Sequence, residues 1–239
     1  MSVLTVRLAG PLQSWGASAR FARRSTEAAP TKSGVIGLLA AAKGVARGDD
    51  ERLAPLAALR FGVRIDQAGT RLRDFHTAHH PVTGQPMPLS ERFYLADAVF
   101  VAAVEGDAAL LAGLHAALRN PVYAPFLGRR SCPPAQPVEL GLHHDIDLLQ
   151  ALRAEPWQAS AWHQRLRRQD KVVDLPVLLE TSAGTADTEL LRDQPISFAA
   201  EQRRHVLRTV VRKTVTVSNP LAAAVPQHDP LAALEEESA

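Results

Sequence analysis

Four short groups of residues carry the types and spacing that could do chemistry. In Pro125-Phe126-Leu127-Gly128-Arg129-Arg130-Ser131-Cys132-Pro133-Pro134, Gly128 permits a tight bend. The two guanidiniums of Arg129 and Arg130 with the Ser131 hydroxyl make a compact phosphate-binding group. Thr31-Lys32-Ser33-Gly34 opens an apolar stretch whose free backbone amides, joined by Lys32, could hold a phosphate; plain capping of a helix by Thr31 or Ser33 is the other role. This is not a nucleotide-binding P-loop, because the opening glycine is missing. Gln13, Ser14 and Trp15 deliver an amide, a hydroxyl and an indole, which suits a flat polar ligand such as a nucleobase. A Trp15 that fills the core is an equal alternative. The fourth group, Arg73, His76, Arg92 and Tyr94, interleaves cations with aromatics on the flanks of one long excursion, Thr70 to Phe93.

Other chemistry finds less support. His76, His79 and His80 have no Cys or second ligand cluster nearby at a recognised zinc spacing, so neither a metal nor another cofactor is implied. Cys132 lacks a Cys-His signature and reads as a small buried thiol. As the only cysteine it can form no internal disulfide, and it fits a reducing compartment. No apolar run is long enough to span a bilayer and no basic-then-apolar leader opens the sequence, so the expectation is a cytoplasmic protein without membrane contact.

Charge points to an anionic partner. Residues 1–48 hold seven Lys or Arg, among them Arg20, Arg23 and Arg24, against the single acid Glu27, although the whole chain carries only +2. A basic first quarter in a near-neutral chain suggests a localised nucleic-acid contact, RNA or DNA, with a solvated basic surface as the alternative. At 239 residues, with 46% hydrophobic and 22% charged residues, the chain can bury a full core and is not of disordered composition.

The elements that must position these groups follow from periodicity. Val3 to Leu8 alternates as a strand, with Leu4, Val6 and Leu8 on one face and Val3, Thr5 and Arg7 on the other, and it stops at Gly10-Pro11. An apolar helix runs through Val35, Ile36, Leu38 and Leu39, a short helix spans about 51–59, and Phe61, Val63 and Ile65 alternate as a second strand. Tyr94 to Val104 reads as the next strand, followed by a helix over about 107–119. A further strand is expected at Val138 to Leu142. The fold class is therefore α+β, a ferredoxin-like βαββαβ domain over 1–141. The excursion between its second and third strands contains Pro81, Gly84, Pro86 and Pro88 and is too long for a tight turn; such a stretch is usually functional or disordered, and its flanks suit a protruding hairpin. Residues 142–218 form a smaller, β-rich C-terminal region. Within it, Gln150 to Asp170 reads as helix or irregular structure carrying Trp157, Trp162, Arg165, Arg167 and Arg168. Lys171 to Thr181 reads as a strand and Ala183 to Gln194 as a polar loop. A β-branched strand ends at Val217, with Arg208, Arg212 and Lys213 on its polar side. A flexible acidic tail is expected over 219–239.

In this order and spacing, GPLQSWG, PTKSGVIGLLAA, LRDFHT, YLADA and above all PFLGRRSCPP resemble the CasD family of Cascade subunits, from the type I-E CRISPR surveillance complex. The resemblance covers about residues 1–141. It implies a non-catalytic RNA-binding subunit in antiviral defence that holds the 5′ handle of the CRISPR RNA. It also implies an RRM-related form of the ferredoxin-like domain, a thumb hairpin over about 72–94 reaching the neighbouring backbone subunit, a contact with the large subunit, and target DNA held by the assembled complex. Together with the residue types above, it marks Gln13, Ser14, Trp15, Arg20, Lys32, Ser33, Arg73, His76, Arg92, Tyr94, Arg129, Arg130 and Ser131 as the RNA-binding set.

Two alternatives remain. Members of a related subtype cut repeat RNA, and metal-independent cleavage needs a base for the 2′-hydroxyl and an acid or cation for the phosphate, types that His76, Tyr94 and Lys32 supply. The other alternative is an assembly subunit whose basic face recognises proteins. Salt separates it from RNA binding, since phosphate contacts weaken steeply as salt rises.

Overall fold

A computed structural model describes residues 1–16, 23–182 and 184–223. Arg20 and the segment 224–239 of the expected tail lie outside the described residues.

Strand β1 (Ser2–Ala9) forms as the alternation predicts, and Gly10-Pro11 ends it before the two-residue β2 (Leu12–Gln13). After the short β3 (Arg23–Arg24) comes α1 (Lys32–Ala42), where the Thr31 side chain accepts from the Gly34 amide and so provides the N-cap. Helix α2 (Asp50–Ala57), capped by Asp49, leads into β4 (Arg60–Gln67). A turn at Gly69 starts β5 (Thr70–His76), which returns as β6 (Ser90–Ala96). Then come β7 (Val99–Gly106), α3 (Ala108–Arg119) with Asp107 as cap, and β8 (Glu139–His144).

The strand expected from Tyr94 to Val104 is in fact two. The break is at Asp97, whose φ of 55° lies in the left-handed region that Asp tolerates. Here the chain leaves one sheet for another, since β6 pairs with β5 whereas β7 lies between β1 and β4.

The main sheet has seven strands in the order β10-β11-β9-β4-β7-β1-β8, once the C-terminal strands β9 (Val172–Glu180), β10 (Thr188–Ser197) and β11 (Arg204–Ser218) are included. Every neighbouring pair is antiparallel. Its inner part, β8-β1-β7-β4, is connected by two helical crossovers, one through α1 and α2 and one through α3. These helices cover one face, where Leu4, Val6, Leu8, Ile36, Phe61, Phe100, Leu111 and Leu114 share a core. Helix α4 (Leu148–Ala154) covers the other, with Val3, Val101, Leu152, Trp157 and Val177. Val3 and Thr5, on the expected polar side of β1, are therefore fully buried. Strand patterning reveals one apolar face; a second cover supplied 140 residues later is invisible to it.

The polar loop expected over 183–194 gives way to a strand from Thr188, where β10 begins. Its inward group is a carboxylate: Asp193 is 1% exposed and takes two bonds from Arg208, at 2.6 and 3.0 Å. Arg208, expected on the polar side of its strand, is accordingly buried. A strand closed by a buried ion pair lacks the apolar alternation on which recognition depends. The short helix α5 (Ala161–Leu166) follows α4. Asn219, assigned by sequence to the tail, is buried and donates to the Gln164 and Arg167 carbonyls at 3.2 and 2.9 Å.

A second, smaller sheet is organised on β6. Strand β5 runs along it in register from Thr70 opposite Ala96 to His76 opposite Ser90. A strand has only two edges, so β2, opposite Leu95 and Ala96, and the parallel β3, opposite Glu91 and Arg92, share the other. The β5–β6 hairpin is the expected excursion, and its exposed apolar residues include Val82, Met87 and Leu89.

Candidate nucleic-acid interface

Strand β6 carries the centre of the site because basic residues from three other segments are brought onto its aromatic side chains. Arg71 of β5 and Arg23 of β3 both lie over the Phe93 ring, with guanidinium carbons 4.7 and 5.3 Å from its centroid. Arg129 lies 4.6 Å from the centroid of Tyr94, and Arg73 lies 4.7 Å from that of Phe75. Stacking on an aromatic face holds a guanidinium in place while leaving its edge N–H groups free. In addition, Arg92 Nε and Arg129 Nη1 are shielded from solvent and have no hydrogen-bond partner among the described residues. A buried donor left unmade is costly, and an anionic oxygen would satisfy it.

The loop bearing Arg129 is set by its neighbours. Leu127 and Cys132 are buried, the Leu127 amide donates to the Cys132 carbonyl at 2.7 Å, and the Cys132 amide donates to the Arg129 carbonyl at 2.9 Å. Gly128 has φ of +82°, and a Cβ there would lie 1.8 Å from the Ser14 carbonyl oxygen, so only glycine fits. The Ser14 amide in turn donates to the Leu127 carbonyl at 3.1 Å. Arg129 Nη2 then reaches the Arg24 carbonyl at 3.0 Å. Burial pushes the Cys132 thiol above its ordinary pKa, which keeps it protonated and unreactive at neutral pH.

Gln13, Ser14 and Trp15 are the braces beneath this face. Gln13 is buried: its amide nitrogen donates to the Leu8 and Ala98 carbonyls at 3.0 and 2.7 Å, and its oxygen accepts from the Trp15 indole at 3.0 Å. Ser14 donates its hydroxyl to the Phe93 carbonyl at 3.0 Å. Trp15 is 1% exposed, so of the two readings of the indole the core plug is what forms. It sits on α1 where Gly34 has no side chain; a Cβ there would come within 2.7 Å of the ring. Lys32 is also turned inward. Its ammonium is 1% exposed and bonded to Glu180 at 2.9 and 3.1 Å, away from any external phosphate.

Beside the loop, a cleft of about 860 Å³ runs along α1. Ser14, Trp15, Ser33 and Arg130 line one end, and Arg47, Arg203 and His205 contribute basic groups further along. Ser33 is buried, while Arg130 and Ser131 are exposed. Burial, helped by Arg203, lowers the His205 pKa and keeps that ring neutral.

The sequence-derived set is thus divided. Arg129, Arg92 and Tyr94 meet at β6, Arg130 and Ser33 reach the cleft, and Arg73 and His76 lie further out on β5, where His76 pairs with Asp74. Sequence reading missed Arg23, Arg71, Phe93, Arg47, Arg203 and His205. The cation-aromatic interleaving did mark Arg71 and Phe93, but only the pairing of β3 and β5 with β6 shows that two guanidiniums share one ring. Nothing in the sequence brings residues 203–205 to α1.

The groups suited to RNA cleavage do not converge. His76 faces Ser90 across the hairpin whereas Tyr94 faces Leu72, four residues along the strand, which is about 13 Å. Lys32 is held by Glu180. Among the described residues, no three His, Cys, Asp or Glu side chains cluster as a metal site requires. No helix among them is long and apolar enough to cross a membrane.

The comparisons with known proteins agree with one another. The family described as CRISPR-associated protein (Cas_Cas5) matches residues 3–211. Subunit CasD of the CRISPR system Cascade from Escherichia coli (strain K12) is 36% identical over 169 residues, covering 63% of this chain and 75% of that protein. A chain of a solved CRISPR RNA-guided surveillance complex superposes with a TM-score of 0.70 at 31% identity, covering 99% of this chain and all of that one. A solved Cas protein superposes with a TM-score of 0.68 at 35% identity, over 94% of this chain and 99% of that one.

Proposed function

The chain belongs to the CRISPR-associated Cas5 family, and from that premise we propose that it is the type I-E subunit of a Cascade surveillance complex that grips the 5′ handle of the CRISPR RNA without cutting it. The observation that carries this reading is the stacking of Arg23 and Arg71 on Phe93 and of Arg129 on Tyr94, which lie on opposite faces of β6, with the shielded Nη1 of Arg129 unpartnered among the described residues. Fixed guanidiniums at spaced positions suit a single-stranded phosphate backbone, and the adjacent cleft along α1 has room for an unstacked base. The separation of His76 from Tyr94, and the commitment of Lys32 to Glu180, support binding over cleavage.

In this reading the inner strands β8-β1-β7-β4 with their crossovers are a ferredoxin-like, RRM-related unit. The β5–β6 hairpin is a thumb that offers Val82, Met87 and Leu89 to a neighbouring backbone subunit. The C-terminal strands face the large subunit, and the target DNA is met only in the assembled cytoplasmic complex. The test is co-expression with the other subunits and a CRISPR RNA, followed by mapping of protein–RNA crosslinks. Crosslinks are expected between the 5′ handle and peptides containing Arg71, Phe93 or Arg129. Crosslinks from these peptides only to the spacer, or none at all, would overturn the proposal.

A further inference from the structure

The surface around α5 is absorbed by neither the fold nor the RNA-binding face. Trp162 is 52% exposed, with Leu166 and Val172, at 74% and 55%, also open to solvent. An exposed indole on a short helix is usually loosely held; here the ring has one aromatic neighbour and the helix that carries it is tied down. The His163 ring meets Trp162 edge-on at 5.4 Å and 88°, and it meets the buried Trp157 edge-on at 5.8 Å and 72°. Trp157 is anchored by its indole N–H to the Asp66 carbonyl at 3.0 Å. Gln164, on the inner side of α5, donates to the Trp157 and Ala159 carbonyls at 3.1 and 2.9 Å, and Asn219 holds the last turn from below. At the front of the helix, Ser160 Oγ donates to Gln67 Oε1 at 2.8 Å, which ties α5 to the point where β4 turns into the thumb hairpin.

Positive charge predominates around this platform. Arg165, Arg168 and Lys171 are exposed and make no ion pair among the described residues. The local acids are already engaged: Asp170 with Arg167 at 2.8 Å, and Asp174 with the Thr216 hydroxyl at 2.6 Å. Burial, then Arg167, lowers the His163 pKa, so the supporting ring is neutral at pH 7. A rigid exposed aromatic face ringed by three free cations has the two parts a single strand needs, a surface for a base and charges for its phosphates.

We propose that Trp162, Arg165, Arg168 and Lys171 form a second single-stranded nucleic-acid contact, distinct from the face on β6 and adjoining the root of the thumb. A base stacks on the open side of the Trp162 indole, and the three cations take the flanking phosphates. The strand is either RNA extending past the thumb or a single-stranded DNA segment, which the sugar distinguishes. A protein partner would also prize an exposed Trp, but it would need acidic groups to answer three unpaired cations, whereas a phosphate backbone provides them at every step.

The test is titration of the full chain with short homouridine and homothymidine oligonucleotides at low and moderate salt, read by tryptophan emission and by anisotropy of the labelled strand. Trp15 and Trp157 are buried, so quenching reports on Trp162. Trp162→Ala should abolish the quench and weaken binding about tenfold, while Trp162→Phe keeps most of the affinity because it keeps a stacking face. Preference for one oligonucleotide identifies the source of the strand. The same loss must appear in an Arg129→Ala background, which makes this contact separable from the face on β6 should that reading fail. Unchanged affinity in Trp162→Ala, with unchanged emission on titration, overturns the proposal. So does a Trp162→Ala chain that binds both oligonucleotides normally but no longer assembles with the other subunits, which would give the patch to a protein.

Discussion

The ammonium of Lys32 donates to both carboxylate oxygens of Glu180, while the Lys32 amide donates to Asp193 Oδ2 at 2.8 Å. Residue 32 begins α1, and residues 180 and 193 belong to β9 and β10, so one residue joins the helix beneath the cleft to the C-terminal strands. Arg208 completes the network, paired to Asp193 and stacked 5.2 Å from the centroid of Phe61, whose amide donates to Glu180 at 3.1 Å. Strand β11, whose beginning brings His205 and the preceding Arg203 to the cleft, is thereby fixed relative to α1.

Lys32→Met should be strongly destabilising, by about 3–5 kcal/mol, because it leaves Glu180 without its buried partner. Lys32→Met with Glu180→Met should recover much of that loss, since removing both charges removes the unpaired one. Burial, the main cause, holds the Lys32 pKa below its ordinary 10.5 against the pull of Glu180. Between the folded and ordinary values the unfolded chain therefore binds more protons, and the contribution of Lys32 to stability rises with pH across that window. Urea unfolding of wild type and single and double variants at several alkaline pH values checks both claims. A single-variant loss below about 1 kcal/mol would mean that the network carries little.

Arg129→Ala should weaken binding of a handle-containing RNA and lower the slope of log K against log salt by about 0.7, the share of one single-stranded phosphate contact. Arg129→Lys should restore the salt slope but not the full affinity, because an ammonium lacks the planar stack on Tyr94 and the second donor that reaches the Arg24 carbonyl. An unchanged slope in the alanine variant would remove Arg129 from the phosphate contacts.

Much of the inner fold was legible from sequence because β1, α1, β4 and α3 each bury one patterned face and carry ordinary caps at Thr31, Asp49 and Asp107. The break at Asp97 and strand β10 were not, since a left-handed aspartate and the buried Asp193–Arg208 pair leave no hydrophobic period. Within the proposed site, the loop 128–131 was marked in the sequence by its adjacent arginines. Gln13 and Lys32 misled because residue type shows what a side chain can bind, whereas burial decides whom it binds. Gln13 meets the Leu8 and Ala98 carbonyls, and Lys32 meets a glutamate 148 residues away.

Gly128→Ala should damage the proposed RNA-binding face more than its size suggests. The added methyl cannot share space with the Ser14 carbonyl, and the left-handed φ is unfavourable for alanine. The loop must shift, carrying Arg129 off Tyr94. A cost of about 2 kcal/mol, seen as a Tm lower by roughly 4–8 °C for a chain of this size, should accompany a loss of RNA affinity as large as that of Arg129→Ala. Unaltered RNA binding at reduced stability would separate the loop from the site.

The purified chain should leave its cognate repeat RNA intact in the presence of chelator, and His76→Ala should change neither cleavage nor the product ends. The register of the β5–β6 hairpin is the reason. A 2′-hydroxyl base and a group that protonates the leaving oxygen must flank one phosphate, whose attacking and leaving atoms lie only a few ångströms apart. His76 and Tyr94 are displaced along the hairpin by four residues, about 13 Å. Tyr94 is also 4% exposed beneath Arg129, so its hydroxyl has no open approach for a scissile bond. Lys32 would have to leave Glu180 and unmake a buried pair to take part. Denaturing gels of end-labelled repeat RNA over a long incubation provide the measurement. Site-specific cleavage that disappears in both His76→Ala and Tyr94→Phe would require the hairpin to rearrange by several residues on binding RNA, and would replace the gripping role with a catalytic one.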